Sequence, residues 1–378
     1  MKRSEKAIHA LLAEAGIEVN GPAPSDIQIY NKDLYQRVLQ KGSLGLGEAY
    51  MDGWWDSGEL DAFFYRVLRA SLDEKAKTWT ILAHALKSVL LNSGRRSRAF
   101  EVGEKHYDIG NDLFRHMLDK RMVYSCAYWK EAGSLDEAQE AKLDLICKKL
   151  KLEPGMKVLD IGCGWGSFCK YAAEKYGAEV VGITISKEQV SLAREVCKGL
   201  NVQILLRDYR ELKASEVLER GKLFDRVVSV GMIEHVGYKN YLTFIKSAYQ
   251  LLEDEGIFLL HTIGGNKSSV NADRWINKYI FPNGMLPSIK QIGKSIEGLF
   301  VMEDWHNFGV HYDKTLMAWF RNFEQAWGQL KEKYDDRFYR MWKYYLLSCA
   351  GSFRARKNQL WQIVLSKKGL SGGYEPVL

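Results

Sequence analysis

The residues of this chain best suited to bind a ligand or move a proton sit at the ends of short apolar runs. Val158-Leu159 leads into Asp160, and Ile161 into Gly162-Cys163-Gly164-Trp165-Gly166. Glycines at alternate positions let the backbone turn tightly and let a ligand approach it closely. The spacing is G-x-G-x-G, not the dinucleotide G-x-G-x-x-G, and taken alone it also suits a structural turn. Two further runs end in Gly231-Met232-Ile233-Glu234-His235 and His261-Thr262-Ile263-Gly264. Carboxyl and imidazole groups of this kind can exchange a proton near neutral pH. Glu234 also suits a helix start and His261 a satisfied core position.

The elements that must position these residues alternate in type. The pattern predicts strands over 157–161, 179–183, 202–206, 224–230 and 256–262, with helices over 167–175, 187–198 and 238–251. This rhythm predicts an α/β doubly wound, mostly parallel, Rossmann-like sheet, and such sheets bind ligands at the carboxyl ends of their strands. The glycine loop behind Asp160 resembles motif I of S-adenosylmethionine (SAM) dependent methyltransferases. SAM needs close backbone approach at its methionine part, which Gly162 and Gly164 suit. Its ribose needs polar partners, which Gln189 suits; Thr184 and Ile185 stand at the same strand end as further cofactor-binding candidates. An acid is more usual there. Its adenine needs a flat slot with polar edges, which Asp208 or Arg210 with Tyr209 suits. By residue type alone Gln189 also reads as an exposed helix residue and Asp208 as a cap.

Length and composition set the frame. The chain has 378 residues and a net charge of +7, enough for two domains and mildly basic. No run is apolar enough to span a bilayer and no signal-peptide core follows Met1, so cytoplasmic residence is expected. The six cysteines show no C-x-x-C pair, and no metal site is expected. Residues 1–91 read as a small, mainly helical domain, with helical periodicity at 33–40, 47–52 and 60–72. An amphipathic stretch at 77–91 places Trp79, Leu82, Leu86 and Val89 on one face. Residues 92–103, with Arg95, Arg96 and Arg98, read as a basic linker, and 104–378 as the catalytic domain. The tail from Lys367 is expected to be loosely held. Base-acting methyltransferases tend to carry a Pro-Pro-aromatic motif after the fourth strand. Here Ile233-Glu234-His235 stands in its place, so nucleic acid is not the expected partner.

Taken together, the motifs resemble those of the cyclopropane-fatty-acyl-phospholipid synthases along nearly the whole chain. The matching segments include Gly42–Glu48, Met51–Trp55, His106–Asp112, Tyr124–Trp129 and the glycine loop. They continue with Gly231–Gly237, His261–Gly264, Trp275–Pro282, Asp304–Gly309 and Ala350–Arg356. The mycolic-acid synthases share the catalytic part but lack the N-terminal domain. The resemblance implies SAM-dependent conversion of a cis double bond in membrane phospholipid acyl chains to a cyclopropane ring. It implies a carbocation deprotonated by a bound bicarbonate, held by Cys126, Glu234, His261, Tyr312 and the backbone at Ile263. Tyr124 and Ser125 would touch SAM. It further implies a homodimer that docks transiently on the cytoplasmic membrane face.

Each of these has a plainer reading from residue type. Cys126 is a buried small hydrophobe and Tyr312 a packing residue; Trp305, Phe308 and Trp319 either line an acyl tunnel or fill the core. Cys349 is a candidate nucleophile, but the implied reaction has no covalent enzyme step, which makes it structural. The segment 212–223 is longer than this loop usually is. Two other functions stay open: a lipid methyltransferase that leaves a branched methyl, and a SAM- or RNA-binding module without catalysis.

Overall fold

The computed structural model describes residues 3–75, 110–270 and 272–378. The amphipathic stretch 77–91, the arginines at 95, 96 and 98 and the linker 92–103 lie outside the described residues. The described chain forms two compact units that interleave along the sequence. One comprises 1–117, 271–283 and 313–357; the other comprises 118–270, 284–312 and 358–378. The contiguous division expected from the sequence therefore differs from the packing: segments 271–283 and 313–357 cluster with the N-terminal residues.

The first unit is mainly helical, with a two-stranded sheet of β1 (Gln28–Ile29) and β2 (Trp55–Asp56). Helices Asp33–Lys41, Ser43–Met51 and Leu60–Arg69 occupy the segments read as helical, with ends shifted by a few residues. Its core is aromatic, with Trp275 against Tyr344 at 4.5 Å between ring centroids and Tyr50 edge-on to Trp55 at 5.1 Å. Gly47 exists for this packing: a Cβ there would lie 2.3 Å from the Trp275 ring. Beside it, burial opposes the charge of Glu48. Hydrogen bonds from Lys278 (2.7 Å) and Arg37 (3.2 Å) prevail and hold its carboxyl down to about 2. The Gly42–Glu48 motif is thus structural in this unit.

The second unit carries a seven-stranded sheet in the order β5-β4-β3-β6-β7-β9-β8. Its strands are β3 (Lys157–Ile161), β4 (Glu179–Thr184), β5 (Val202–Leu206), β6 (Phe224–Val230), β7 (Leu252–Gly264), β8 (Val301–Asn307) and β9 (Gln359–Ser366). Strands β3 to β7 pair in parallel, as the βα rhythm requires. The sequence reading did not include β8 and β9, which close the edge by antiparallel pairing. Successive residues point to opposite faces, so Leu159 and Ile161 enter one buried core and Val158 the other. The segment 212–223 contains only a short 3-10 turn, Ala214–Glu216. The tail is held more than expected: Leu370 and Tyr374 pack on the core, and the Tyr374 hydroxyl donates to Lys149 O at 2.9 Å.

Candidate active site

At the end of β3 the chain turns through Gly162 (φ +87°), Gly164 (φ +54°) and Gly166 (φ +84°) into the helix Ser167–Tyr176. All three lie in the left-handed region that favours glycine. Their surroundings differ. A Cβ at Gly162 would meet Met232 at 2.7 Å, whereas at Gly164 it would meet no protein atom within 4 Å. Gly164 therefore faces open space at the strand end, a cradle that a side chain would fill. Asp160 is buried and its carboxyl is pushed up to about 7 by burial, with the Cys169 thiol donating to it at 3.4 Å. Cys163, Cys169 and Cys197 gather beneath this loop as reduced thiols. Their spacing along the chain, without a C-x-x-C pair, does not reveal this gathering. Among the described residues, no group of three His, Cys, Asp or Glu could hold a metal.

The second and third strand ends extend the same edge of the sheet. Thr184 is buried and donates to Gln189 Oε1 at 2.7 Å, which fixes the Gln189 amide over the β4 end. Ile185 is fully outward, 77% exposed. Asp208 and Arg210 form a two-point ion pair at 2.9 and 2.6 Å. Tyr209 turns the other way, into the core, edge-on to Phe244 at 5.3 Å. The pair Asp208–Arg210 thus borders the third strand end, while Tyr209 packs beneath it.

A second group gathers at β6, β7 and β9. Glu234 lies in the 3-10 turn Ile233–His235 and is buried. Its Oε1 accepts the Ile263 N–H at 2.7 Å, and its Oε2 has no hydrogen-bond partner. Burial pushes its carboxyl up to about 7. His261 is buried one residue pair earlier on the same face of β7, with Nδ1 3.3 Å from Gln362 Nε2 and Nε2 without a partner. Burial, then the cations Lys142 and Lys149, hold its imidazole well below its ordinary value, so it is neutral. The Ile263 N–H is engaged by Glu234 and its carbonyl accepts from Thr262 at 2.8 Å, so this backbone orients Glu234 first. His235, by contrast, turns outward.

The remaining candidates divide between the units. Phe308 N–H donates to Leu360 O at 3.1 Å, and Leu360 pairs with Ile263 across the sheet. This places the start of the helix Val310–Leu330, with buried Tyr312, near the β7 end. Phe308 packs edge-on to His261 at 6.0 Å and Tyr128 at 5.3 Å. Trp305 packs on Trp361 at 5.0 Å. Cys126 is wholly buried, its thiol donating to Ala127 O at 3.2 Å, and follows Tyr124 and buried Ser125. Cys349 and Trp319 belong to the first unit. Burial, then Asp273, pushes the Cys349 thiol up to about 12, which leaves it protonated and a poor nucleophile.

Sequence reasoning missed the residues that hold the Tyr124–Cys126 segment. Gln139 donates to Ser125 O at 2.9 Å, and the wholly buried Lys142 donates to Ser125 Oγ at 2.7 Å. Burial lowers the Lys142 amine to about 8, against the pull of Asp119, Cys126 and Asp160. Further along the same helix, Leu135–Lys149, buried Lys149 donates to Asp304 at 2.8 Å and lies 3.2 Å from His306 Nδ1. A signal existed: Lys142 and Lys149 share a helical stripe with Ala138 and Leu145, where lysine is out of place.

The family described as mycolic acid cyclopropane synthetase matches residues 94–363. The cyclopropane-fatty-acyl-phospholipid synthase of Escherichia coli K12 is 56% identical over 370 residues, covering 96% of this chain and 93% of its own. A probable fatty acid methyltransferase of Pseudomonas putida is 38% identical over 71% of this chain and 70% of its own. Among solved structures, the cyclopropane synthase MmaA2 of Mycobacterium tuberculosis superposes with a TM-score of 0.64 at 31% identity, covering 72% of this chain and 100% of its own. Mycolic acid cyclopropane synthase CmaA1, solved with SAH and CTAB, superposes with a TM-score of 0.63 at 33% identity, covering 72% and 99%. A glycine cradle at the β3 end, a buried acid–imidazole group at the β7 end and these likenesses converge: the chain belongs to the mycolic acid cyclopropane synthetase family of SAM-dependent methyltransferases.

Proposed function

We propose that this protein transfers a methylene from SAM to the cis double bond of unsaturated acyl chains in membrane phospholipids. The product is a cyclopropane ring, and the proton is lost to a bound bicarbonate. The observation that carries the reading is a pair of buried polar atoms without a hydrogen-bond partner, Glu234 Oε2 in the turn after β6 and His261 Nε2 on β7. Buried polar atoms left unpaired are costly, and a small anion bearing both acceptors and a hydroxyl satisfies both. The open space at Gly164 supports SAM in the same way.

When bound, SAM supplies an electrophilic methyl and bicarbonate supplies a base. With both bound, the double bond would gain one carbon and the site would have to shelter positive charge on the acyl chain. The chain's own part is to hold and shield. Ionised Glu234, fixed by the Ile263 N–H, accepts a hydroxyl proton at Oε2. Neutral His261, oriented by Gln362, donates from Nε2. Tyr312 and Cys126 complete the polar lining. Phe308 offers a π face beside His261, where it can stabilise positive charge on the acyl chain. Tyr124 and Ser125 touch SAM, with the Ser125 hydroxyl aimed by Lys142. Asp160, Thr184, Ile185, Gln189, Asp208, Tyr209 and Arg210 shape the nucleoside side of its site. Cys349 takes no chemical part.

The same reading takes the working unit as a homodimer, with residues 1–91 serving lipid docking and dimer contacts ahead of the linker 92–103. It acts from the cytoplasm, touching the membrane transiently. Among the described residues no helix is long and apolar enough to cross a membrane. The test is catalytic: activity in degassed buffer should fall and recover on adding bicarbonate. A rate indifferent to bicarbonate would remove this base from the reaction.

A further inference from the structure

The reaction proposed above needs an acyl chain delivered from a bilayer, and one face of the second unit has the composition for that contact. The helices Tyr241–Leu251 and Ile289–Ile296 pack side by side. The loop 265–270 joins them: Gly265 N–H donates to Pro287 O at 2.9 Å, and Ser268 and Ser288 hydroxyls meet at 2.7 Å. Segments 235–252, 264–270 and 284–296 hold five lysines (Lys239, Lys246, Lys267, Lys290 and Lys294) and no aspartate or glutamate. All five are exposed. Interleaved with the lysines are outward apolar side chains: Ile289 is 49% exposed, Leu242 44%, Val270 56% and Tyr238 41%.

This face also adjoins the acid of the active site. Met285 N–H donates to Glu234 O at 2.7 Å, and the Tyr241 hydroxyl donates to Met285 O at 3.3 Å. The helix that presents Leu242 and the loop leading to Ile289 are thus tied to the turn that carries Glu234. Lysines ringing exposed aliphatic and aromatic side chains match an anionic interface: ammonium groups meet lipid phosphates while the apolar side chains enter the headgroup region. Basic segments without acids are poorly suited to a basic partner and well suited to this one.

We propose that this face, centred on Leu242 and Ile289 and flanked by Lys239, Lys246, Lys290 and Lys294, is the surface by which the protein docks on an anionic phospholipid bilayer. The inference rests on the lipid-modifying reading above, and adds to the docking role that reading gives residues 1–91 a second point of contact, beside the site. Its test uses the full-length protein, vesicles of phosphatidylglycerol and phosphatidylethanolamine with unsaturated chains, and the same lipids dispersed in detergent. Two variants are compared with the unaltered chain: the quadruple Lys239→Gln, Lys246→Gln, Lys290→Gln, Lys294→Gln, and the double Leu242→Ser, Ile289→Ser. Both should sediment with vesicles at least about tenfold more weakly. Both should keep their activity on the detergent-dispersed lipid, which also shows that they fold.

Unchanged vesicle binding by both variants would overturn the proposal. So would a loss confined to a control carrying Arg95→Gln, Arg96→Gln and Arg98→Gln, which would assign docking to the linker. A drop in the free protein's mass in sedimentation would show that a second copy covers the face. Loss of RNA binding with vesicle binding intact would assign the face to nucleic acid. If the unaltered protein modifies neither lipid preparation, the functional reading fails, while vesicle sedimentation still decides the surface.

Discussion

Glu234 accepts the main-chain N–H of Ile263 through Oε1 at 2.7 Å and keeps Oε2 without a partner. One oxygen is therefore spent on orientation and the other is held ready in a buried site. The carboxyl, raised by burial to about 7, changes charge near neutrality. The reading needs the ionised form, so the rate should rise with pH through about 7.

Glu234→Gln tests that relationship. An amide can accept from Ile263 or receive a proton from a bound anion, but its NH2 cannot do either. Loss of a charge-assisted contact here costs about 1.5–3 kcal/mol, roughly ten- to a hundredfold in rate. The variant should also lose the inflection near pH 7 and the response to bicarbonate. A pH–rate profile with the inflection intact would assign it to another group.

Gly164 and Gly162 should respond differently to substitution. Gly164→Val meets no neighbour and is strained only by its φ of +54°, so the protein should fold with some loss of stability and lose SAM affinity in isothermal titration. Gly162→Ala drives its Cβ toward Met232 at 2.7 Å, so it should lower the melting temperature as well. A folded Gly164→Val with unchanged SAM affinity would move the ligand elsewhere.

Lys142 should show function and stability moving in opposite directions. Burial lowers its amine from 10.5 to about 8. The unfolded chain therefore holds this proton more tightly than the folded one. The group's contribution to stability is complete above about 10.5 and is lost as pH falls toward 8, on the order of 3 kcal/mol in all. Lys142→Met should flatten that slope in urea unfolding between pH 8 and 10 while weakening SAM binding through the freed Ser125 hydroxyl. A variant with normal SAM affinity would make the lysine purely structural.

The two cysteines should be mild. Cys126→Ser keeps a polar hydrogen and should retain most of the rate. Cys349→Ser should retain nearly all of it, since its thiol stays protonated. An inactive Cys349→Ser beside a fully active Glu234→Gln would reinstate covalent chemistry.

The parallel half of the sheet was legible in the sequence because its strands are apolar runs punctuated by glycine, and the ligand-facing residues follow each run. Glu234 and His261 were legible for the same reason. The antiparallel β8 and β9 were not. Val301–Asn307 mixes charged and apolar residues at an edge, and Gln359–Ser366 is buried throughout without alternation. The convergence of Cys163, Cys169 and Cys197 depends on a helix crossing two strands, which spacing along the chain does not reveal. Lys142 and Gln139 escaped notice because polar side chains on a helix ordinarily face water. Tyr209 follows a strand end, as a ligand wall should, yet the turn made by Asp208 and Arg210 rotates its ring into the core.

The most direct test of the central claim is mass spectrometry of fatty acids after incubating the protein with SAM and unsaturated phospholipid vesicles. The account predicts acyl chains heavier by one methylene, with the double bond gone and SAM consumed in equal amount. Chains heavier by a methylene and two further hydrogens would indicate a branched methyl, and unaltered lipid with SAM bound but not consumed would contradict the account outright.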